Sequence, residues 1–154
     1  MGLLGIISGT ILLHDFEREL REELVETPYG NASVMVGKHY AYIARHGTDR
    51  RCPILPHLIN HPANISALKH IGVEEIATVN STGSLKIHLK PGMLAIPNDF
   101  MSFSATPTVC REGKALHVVP ALSPKMRAAL LEAARECSTP VHDGGVYWQT
   151  PGPR

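Results

Sequence analysis

Three short segments of this 154-residue chain carry the groups from which an anion site is built. Each directly follows a run of apolar or β-branched residues. Ser8-Gly9-Thr10 follows Gly2 to Ile7, Arg45-His46-Gly47 follows Tyr40 to Ala44, and Asn80-Ser81-Thr82-Gly83-Ser84 follows Glu75 to Val79. Together they offer a guanidinium, an imidazole, several hydroxyls and backbone N–H groups next to glycine. Arginine presents a forked, permanently charged set of donors. Glycine lets the backbone curve until successive N–H groups point at one oxygen. In open α/β sheets, ligands collect at the carboxyl ends of the strands. Taken singly, each segment is weak, because Ser-Gly-Thr makes tight turns and a lone arginine or histidine is usually a surface or packed residue. Only the recurrence of the pattern after three strands lifts it above chance.

Other reactive side chains have plainer explanations. His57 and His61 have the spacing of metal ligands on a helix, but Pro62 sits beside them and no carboxylate joins them, so no metal is expected. Glu17, Glu19, Glu22 and Glu23 with Arg18 and Arg21 read as a solvated face. Cys52 lies beside Arg50 and Arg51 without an identifiable acid–base partner. Tyr147 and Trp148 could stack on a planar ligand, but core packing is their ordinary use.

The elements that must position the three loops follow from the pattern of the chain. Gly2 to Ile7 suits a strand buried on both faces. Asp15 to Glu26 is expected to hold a short helix, and Thr27-Pro28-Tyr29-Gly30 a turn. Ala32, Val34 and Val36 alternate with polar or larger residues, and Tyr40 to Ala44 follows, so the two runs suggest a hairpin. A basic, proline-containing loop leads from Arg45 to Pro56. A helix is expected over Pro62 to His70, with Ala63, Ala67, Leu68 and Ile71 on one face and Gly72 as its stop. Further strands are expected over Glu75 to Val79, Met93 to Ile96 and within Val141 to Trp148. Ser123-Pro124 opens a second helix. Strands alternating with helices define an α/β class, but the strand order is not readable.

Composition bounds the partners. Hydrophobic residues make up 44% and charged residues 19%, with a formal net charge of +1. No global field draws such a chain to nucleic acid or to an anionic membrane, so any anion site must be local. The apolar stretch Met1 to Leu13 has no basic start, is broken by glycines, Ser8 and Thr10, and is too short to span a bilayer. Cys52, Cys110 and Cys137 are odd in number and widely spaced, which fits reduced thiols in a cytoplasmic protein.

The order of motifs resembles the purine nucleoside phosphorylases of the methylthioadenosine phosphorylase type. Gly5-Ile6-Ile7-Ser8-Gly9-Thr10 resembles their opening phosphate loop, and Ala44-Arg45-His46-Gly47 their second phosphate segment. Asn60-His61-Pro62-Ala63-Asn64-Ile65 with Ala67-Leu68-Lys69 resembles the helix that follows, and Asn80-Ser81-Thr82-Gly83-Ser84-Leu85 the next ligand loop. Lys90-Pro91-Gly92-Met93, Ile96-Pro97-Asn98-Asp99-Phe100 and Gly152-Pro153-Arg154 come after in the family's order. The wording at Asn80-Ser81 and at Pro97-Asn98-Asp99-Phe100 is most similar to the archaeal branch that acts on 6-oxopurine nucleosides such as methylthioinosine.

The resemblance implies a nucleoside phosphorylase-like α/β fold, a mixed sheet flanked by helices, with residues 1–154 forming the N-terminal portion of a single domain. It implies cleavage of a purine nucleoside by inorganic phosphate, which is a co-substrate, with no other cofactor. Thr10, Arg45, His46, Asn80 and Ser81 would hold phosphate, with Asn80 and Ser81 also lining the sugar region. It implies a homo-oligomer, a trimer or a multiple of one. Ser8 and Ile11 stand where the family usually has glycines, and Pro151 where it usually has glutamate. The family's purine-binding segments come later than Arg154, so the chain is expected to be truncated and, as an isolated piece, to show no turnover. A non-catalytic binding or assembly module that keeps the phosphorylase core is the rival expectation.

Overall fold

The computed structural model describes residues 2–9, 20–49, 51–103, 107–110 and 117–150. The chain divides into two compact units, Met1–Ser81 with Pro107–Val109 and Gly152–Arg154, and Thr82–Thr106 with Cys110–Pro151. Among the described residues, no helix is long and apolar enough to cross a membrane.

The first unit is built on a mixed sheet. Its strands are β1 (Leu3–Ser8), β2 (Arg21–Thr27), β3 (Gly30–Val36), β4 (Tyr40–Ala44) and β5 (Val73–Thr78). They lie in the order β2-β3-β4-β1-β5. β2, β3 and β4 form an antiparallel meander, and β1 runs parallel to both β4 and β5. The continuous apolar run of β1 belongs to an inner strand with neighbours on both sides, but only Gly5 and Ser8 in it are buried and Leu3, Leu4, Ile6 and Ile7 are half-buried, so the expected burial on both faces is incomplete.

Helix α1 (His61–His70) lies against β2, β3 and β5. Ala63 and Ala67 are fully buried beside Leu68, and with Val25, Ala32, Val34, Ala41 and Ile43 they make the core. Small side chains at Ala63 and Ala67 let the helix backbone sit close to the sheet. Asn60 caps α1 by accepting from the Ala63 N–H at 3.1 Å, and its amide nitrogen donates to the Tyr29 carbonyl at 2.7 Å. Gly72, just past the helix, has φ +88°, which suits a glycine stop.

The expected helix over Asp15 to Glu26 is corrected. Residues 21–27 are strand β2, and residues 10–19 lie outside the described part of the chain. β2 pairs with β3 along its whole length, from Arg21↔Val36 to Thr27↔Gly30. Its charged residues sit on an edge strand, where one face meets water, and Leu24 on that face is 70% exposed while Val25 is buried. The turn at Thr27–Gly30 and the β3–β4 hairpin stand as expected.

The second unit contains β6 (Leu94–Ile96), β7 (Asp99–Ser102), helix α2 (Pro124–Glu136), β8 (Val141–Asp143) and β9 (Val146–Gln149). β6 pairs with β8 and β7 with β9, both in parallel. The Ser123 hydroxyl accepts from the Met126 N–H at 3.2 Å, so the expected cap forms, and α2 packs on β6 and β8. The single strand expected within Val141 to Trp148 is broken in two by Gly144 and Gly145, with φ of +109° and +98°. Opposite this break, Asn98 donates from its N–H to the Gly145 carbonyl and accepts from the Gly145 N–H on Oδ1. Trp148 is not core: it is 47% exposed and meets Phe103 edge-on at 6.2 Å.

Candidate functional site

The candidate site forms where three parallel strands end together. β1, β4 and β5 run in one direction, so Ser8, Ala44 and Thr78 lie at the same edge of the sheet. The segments that leave this edge are Ser8-Gly9 from β1, Arg45-His46-Gly47 from β4 and Val79-Asn80-Ser81 from β5.

Main-chain and side-chain hydrogen bonds lace these exits to one another. The Arg45 N–H donates to the Ser8 carbonyl and the Val79 N–H to the Ile7 carbonyl, each at 2.9 Å. The Arg45 guanidinium donates from Nη1 to the Val79 carbonyl at 2.9 Å. Among the described residues, Arg45 forms no ion pair with a carboxylate. The guanidinium fork carries further donors beside the one engaged by Val79, of the kind an anion takes.

His46 is fixed by Ile54. The Ile54 N–H donates to the His46 carbonyl and the His46 ring nitrogen Nδ1 meets the Ile54 carbonyl, each at 2.8 Å. A carbonyl only accepts, so Nδ1 carries a proton and the ring presents Nε2 elsewhere. Gly47 follows with φ +80°, and its N–H closes a tight turn onto the Ala44 carbonyl at 2.8 Å. A side chain with a β-carbon would be strained at that φ.

Arg45 and His46 are thus gathered at one edge, each half-buried, with Asn80 and Ser81 placed directly after the β5 exit and exposed. Thr10, the remaining candidate, lies outside the described residues.

Two further residues belong to this edge that sequence reasoning does not assign to it. His61, the first residue of α1, is near enough to Arg45 and His46 to feel their charges. Partial shielding of its ring from water, followed by those two charges, holds its pKa below the ordinary 6.5. Tyr42, fully buried in β4, donates its hydroxyl to the Gly9 carbonyl at 2.7 Å. Burial raises its phenol above the ordinary 10.0, offset by a hydrogen bond from Ser8 and the charge of Arg45. By spacing alone, His61 reads as a possible metal ligand and Tyr42 as one more core residue of an apolar strand. Nothing in that spacing points to the anion loops.

Comparison with known proteins agrees with this architecture. Residues 4–154 match the family described as the phosphorylase superfamily. The chain is 39% identical over 158 residues to a protein of Archaeoglobus fulgidus named "probable 6-oxopurine nucleoside phosphorylase", covering 99% of this chain and 64% of that one. It is likewise 39% identical over 158 residues to a protein of Methanocaldococcus jannaschii named "probable S-methyl-5'-thioinosine phosphorylase", covering 99% and 61%. Its fold superposes on the crystal structure of a methylthioadenosine phosphorylase from an antarctic soil metagenomic library. The TM-score is 0.86 at 29% identity, over 98% of this chain and 57% of that one. The chain therefore spans about three fifths of the length of these curated relatives. It belongs to the phosphorylase superfamily, and its relatives within it carry purine nucleoside phosphorylase names.

Proposed function

We propose that this chain carries the phosphate-binding portion of a purine nucleoside phosphorylase, forming the N-terminal part of a single catalytic domain in a homo-oligomer built on threes. The substrates are a purine nucleoside, such as 5′-methylthioinosine or 5′-methylthioadenosine, and inorganic phosphate, with no other cofactor. The observation that carries the reading is Arg45: a guanidinium without a carboxylate partner among the described residues, at the shared carboxyl end of β1, β4 and β5, tied to Val79 and flanked by His46.

In the reaction, a phosphate oxygen forms a bond to the anomeric carbon while the bond from that carbon to the purine nitrogen breaks. The electron pair of the broken bond leaves with the purine, which takes up a proton. Positive charge builds on the ribose in between, so a dianion held close to the ring stabilises it. Arg45 and His46 hold and aim that dianion, with Thr10, Asn80 and Ser81 supplying hydroxyl and amide contacts. The benefit is orientation together with fixed electrostatics.

The test joins calorimetric titration with inorganic phosphate to spectrophotometric detection of purine released from 5′-methylthioinosine, for wild type and Arg45→Ala. The expected result is phosphate binding that Arg45→Ala loses, with any accompanying turnover falling by about 10²- to 10³-fold in that variant. Phosphate binding without turnover would leave the phosphate assignment standing. Equal phosphate binding by both proteins would overturn the assignment.

A further inference from the structure

Tyr42 heads the largest fully buried side chains, and its polar atom is committed to the exit of β1. A buried tyrosine hydroxyl generally needs a partner. Here it donates to the Gly9 carbonyl at 2.7 Å, and the Ser8 side chain is near enough to act on the phenol. Ser8 is itself 3% exposed, so its hydroxyl is also a buried polar group that must be satisfied.

The strand register explains how the tyrosine reaches this point. Tyr42 lies opposite Ile6 in the parallel β1–β4 pairing, and Ser8 lies opposite Ala44. The Tyr42 side chain thus spans from its own pairing position to the peptide beyond the end of β1. The carbonyls of Ile7 and Ser8 are taken by main-chain donors from Val79 and Arg45. Gly9 is the first residue past that ladder, and its carbonyl is held from inside the core by a side chain. Glycine has the greatest backbone freedom of any residue, so a tie at this peptide has the most motion to remove. For filling the core alone, a phenylalanine would serve as well.

We infer that Tyr42, together with Ser8, is a positioning residue of the phosphate site, fixing the Gly9 peptide through which β1 enters its ligand loop. The inference rests on the phosphate reading of that edge. Ser8, buried at the end of β1 and acting on the Tyr42 phenol, supports that placement. Tyr42 acts through the Gly9 peptide.

The experiment is calorimetric titration of the full chain with inorganic phosphate, using wild type, Tyr42→Phe, Ser8→Ala, the double variant and Arg45→Ala, each verified as folded by circular dichroism. Tyr42→Phe keeps the ring and removes only the hydroxyl, and it should raise the phosphate dissociation constant about three- to tenfold. Ser8→Ala should act in the same direction, and the double variant should bind no more weakly than Tyr42→Phe, since both changes remove one tie. Unchanged affinity in folded Tyr42→Phe would overturn the inference. Should that variant not fold, unchanged affinity in Ser8→Ala would overturn it instead. Loss of binding in Arg45→Ala alongside wild-type affinity in the other variants would remove this inference and leave the phosphate reading standing. Absence of binding by wild type, or retention by Arg45→Ala, would remove both.

Discussion

The Arg45 guanidinium reaches across the mouth of β1 and donates to the Val79 carbonyl at 2.9 Å. That single bond joins the loop after β4 to the loop after β5 and orients the rest of the fork. Lysine cannot reproduce it, because an ammonium is a point charge without a planar fork. Arg45→Lys should therefore retain weakened phosphate binding, between wild type and Arg45→Ala, while the thermal midpoint stays close to wild type. Parallel calorimetry and melting of the three proteins check the order.

His61 makes stability depend on pH. Its pKa is lowered in the folded chain relative to the ordinary 6.5. As pH falls through that ordinary value, the unfolded chain binds a proton that the folded chain still refuses, so stability declines until the folded value is passed. A positive charge at the start of α1 is also disfavoured by the helix dipole. Urea midpoints measured from about pH 7.5 to 5 should fall less steeply in His61→Asn than in wild type. Equal slopes would show that this imidazole does not set the dependence.

Gly5→Ala should be destabilising by about 1–3 kcal/mol through overpacking. A β-carbon there would lie 2.8 Å from Val73 Cγ1, 3.2 Å from Ile76 Cγ1 and 3.3 Å from Leu68 Cδ1. All three neighbours are core or core-flanking side chains, so none can move freely aside. Chemical denaturation of the variant gives the value directly, and a change of a few tenths of a kcal/mol would mean that the helix shifts to make room.

Asn60 serves both the N-terminus of α1 and the β2–β3 turn. Asn60→Ala should cost about 1–2 kcal/mol. Asn60→Ser keeps a capping oxygen but loses the donor to Tyr29, and should recover only part of the loss. A serine variant as stable as wild type would show that the tie to the turn contributes nothing.

Much of this architecture is legible in the residues themselves. Asn60, Pro62 and Gly72 mark the bounds of α1 by chemistry that acts locally, so the helix can be read directly from the chain. Arg45, His46, Asn80 and Ser81 can be placed just after strands because each follows an apolar run. β2 cannot be read, because Arg21–Thr27 is dense in charge and becomes a strand only by pairing with β3. Nor can the break at Gly144-Gly145, where strands belonging to two separate ladders read as one. The relation that makes a site out of the loops, β1 running parallel to β4 and β5, is a long-range fact that periodicity does not encode. Tyr42 stays hidden for a related reason: its hydroxyl acts on the exit of the neighbouring strand.

The place of β1 in the sheet has a consequence for the order of assembly. β2, β3 and β4 are consecutive, and each can pair with the next while the intervening chain is short. β1 precedes the meander in the chain, yet Leu4 must find Tyr40 and Leu3 must find Val73. Closing loops of that length is entropically slower than closing hairpins. During synthesis, β1 emerges before the meander and stays unpaired until β4 has appeared, and its other side stays open until the residues up to Thr78 have followed. The meander can form first, and the edge that gathers Gly9, Arg45 and Asn80 is completed last.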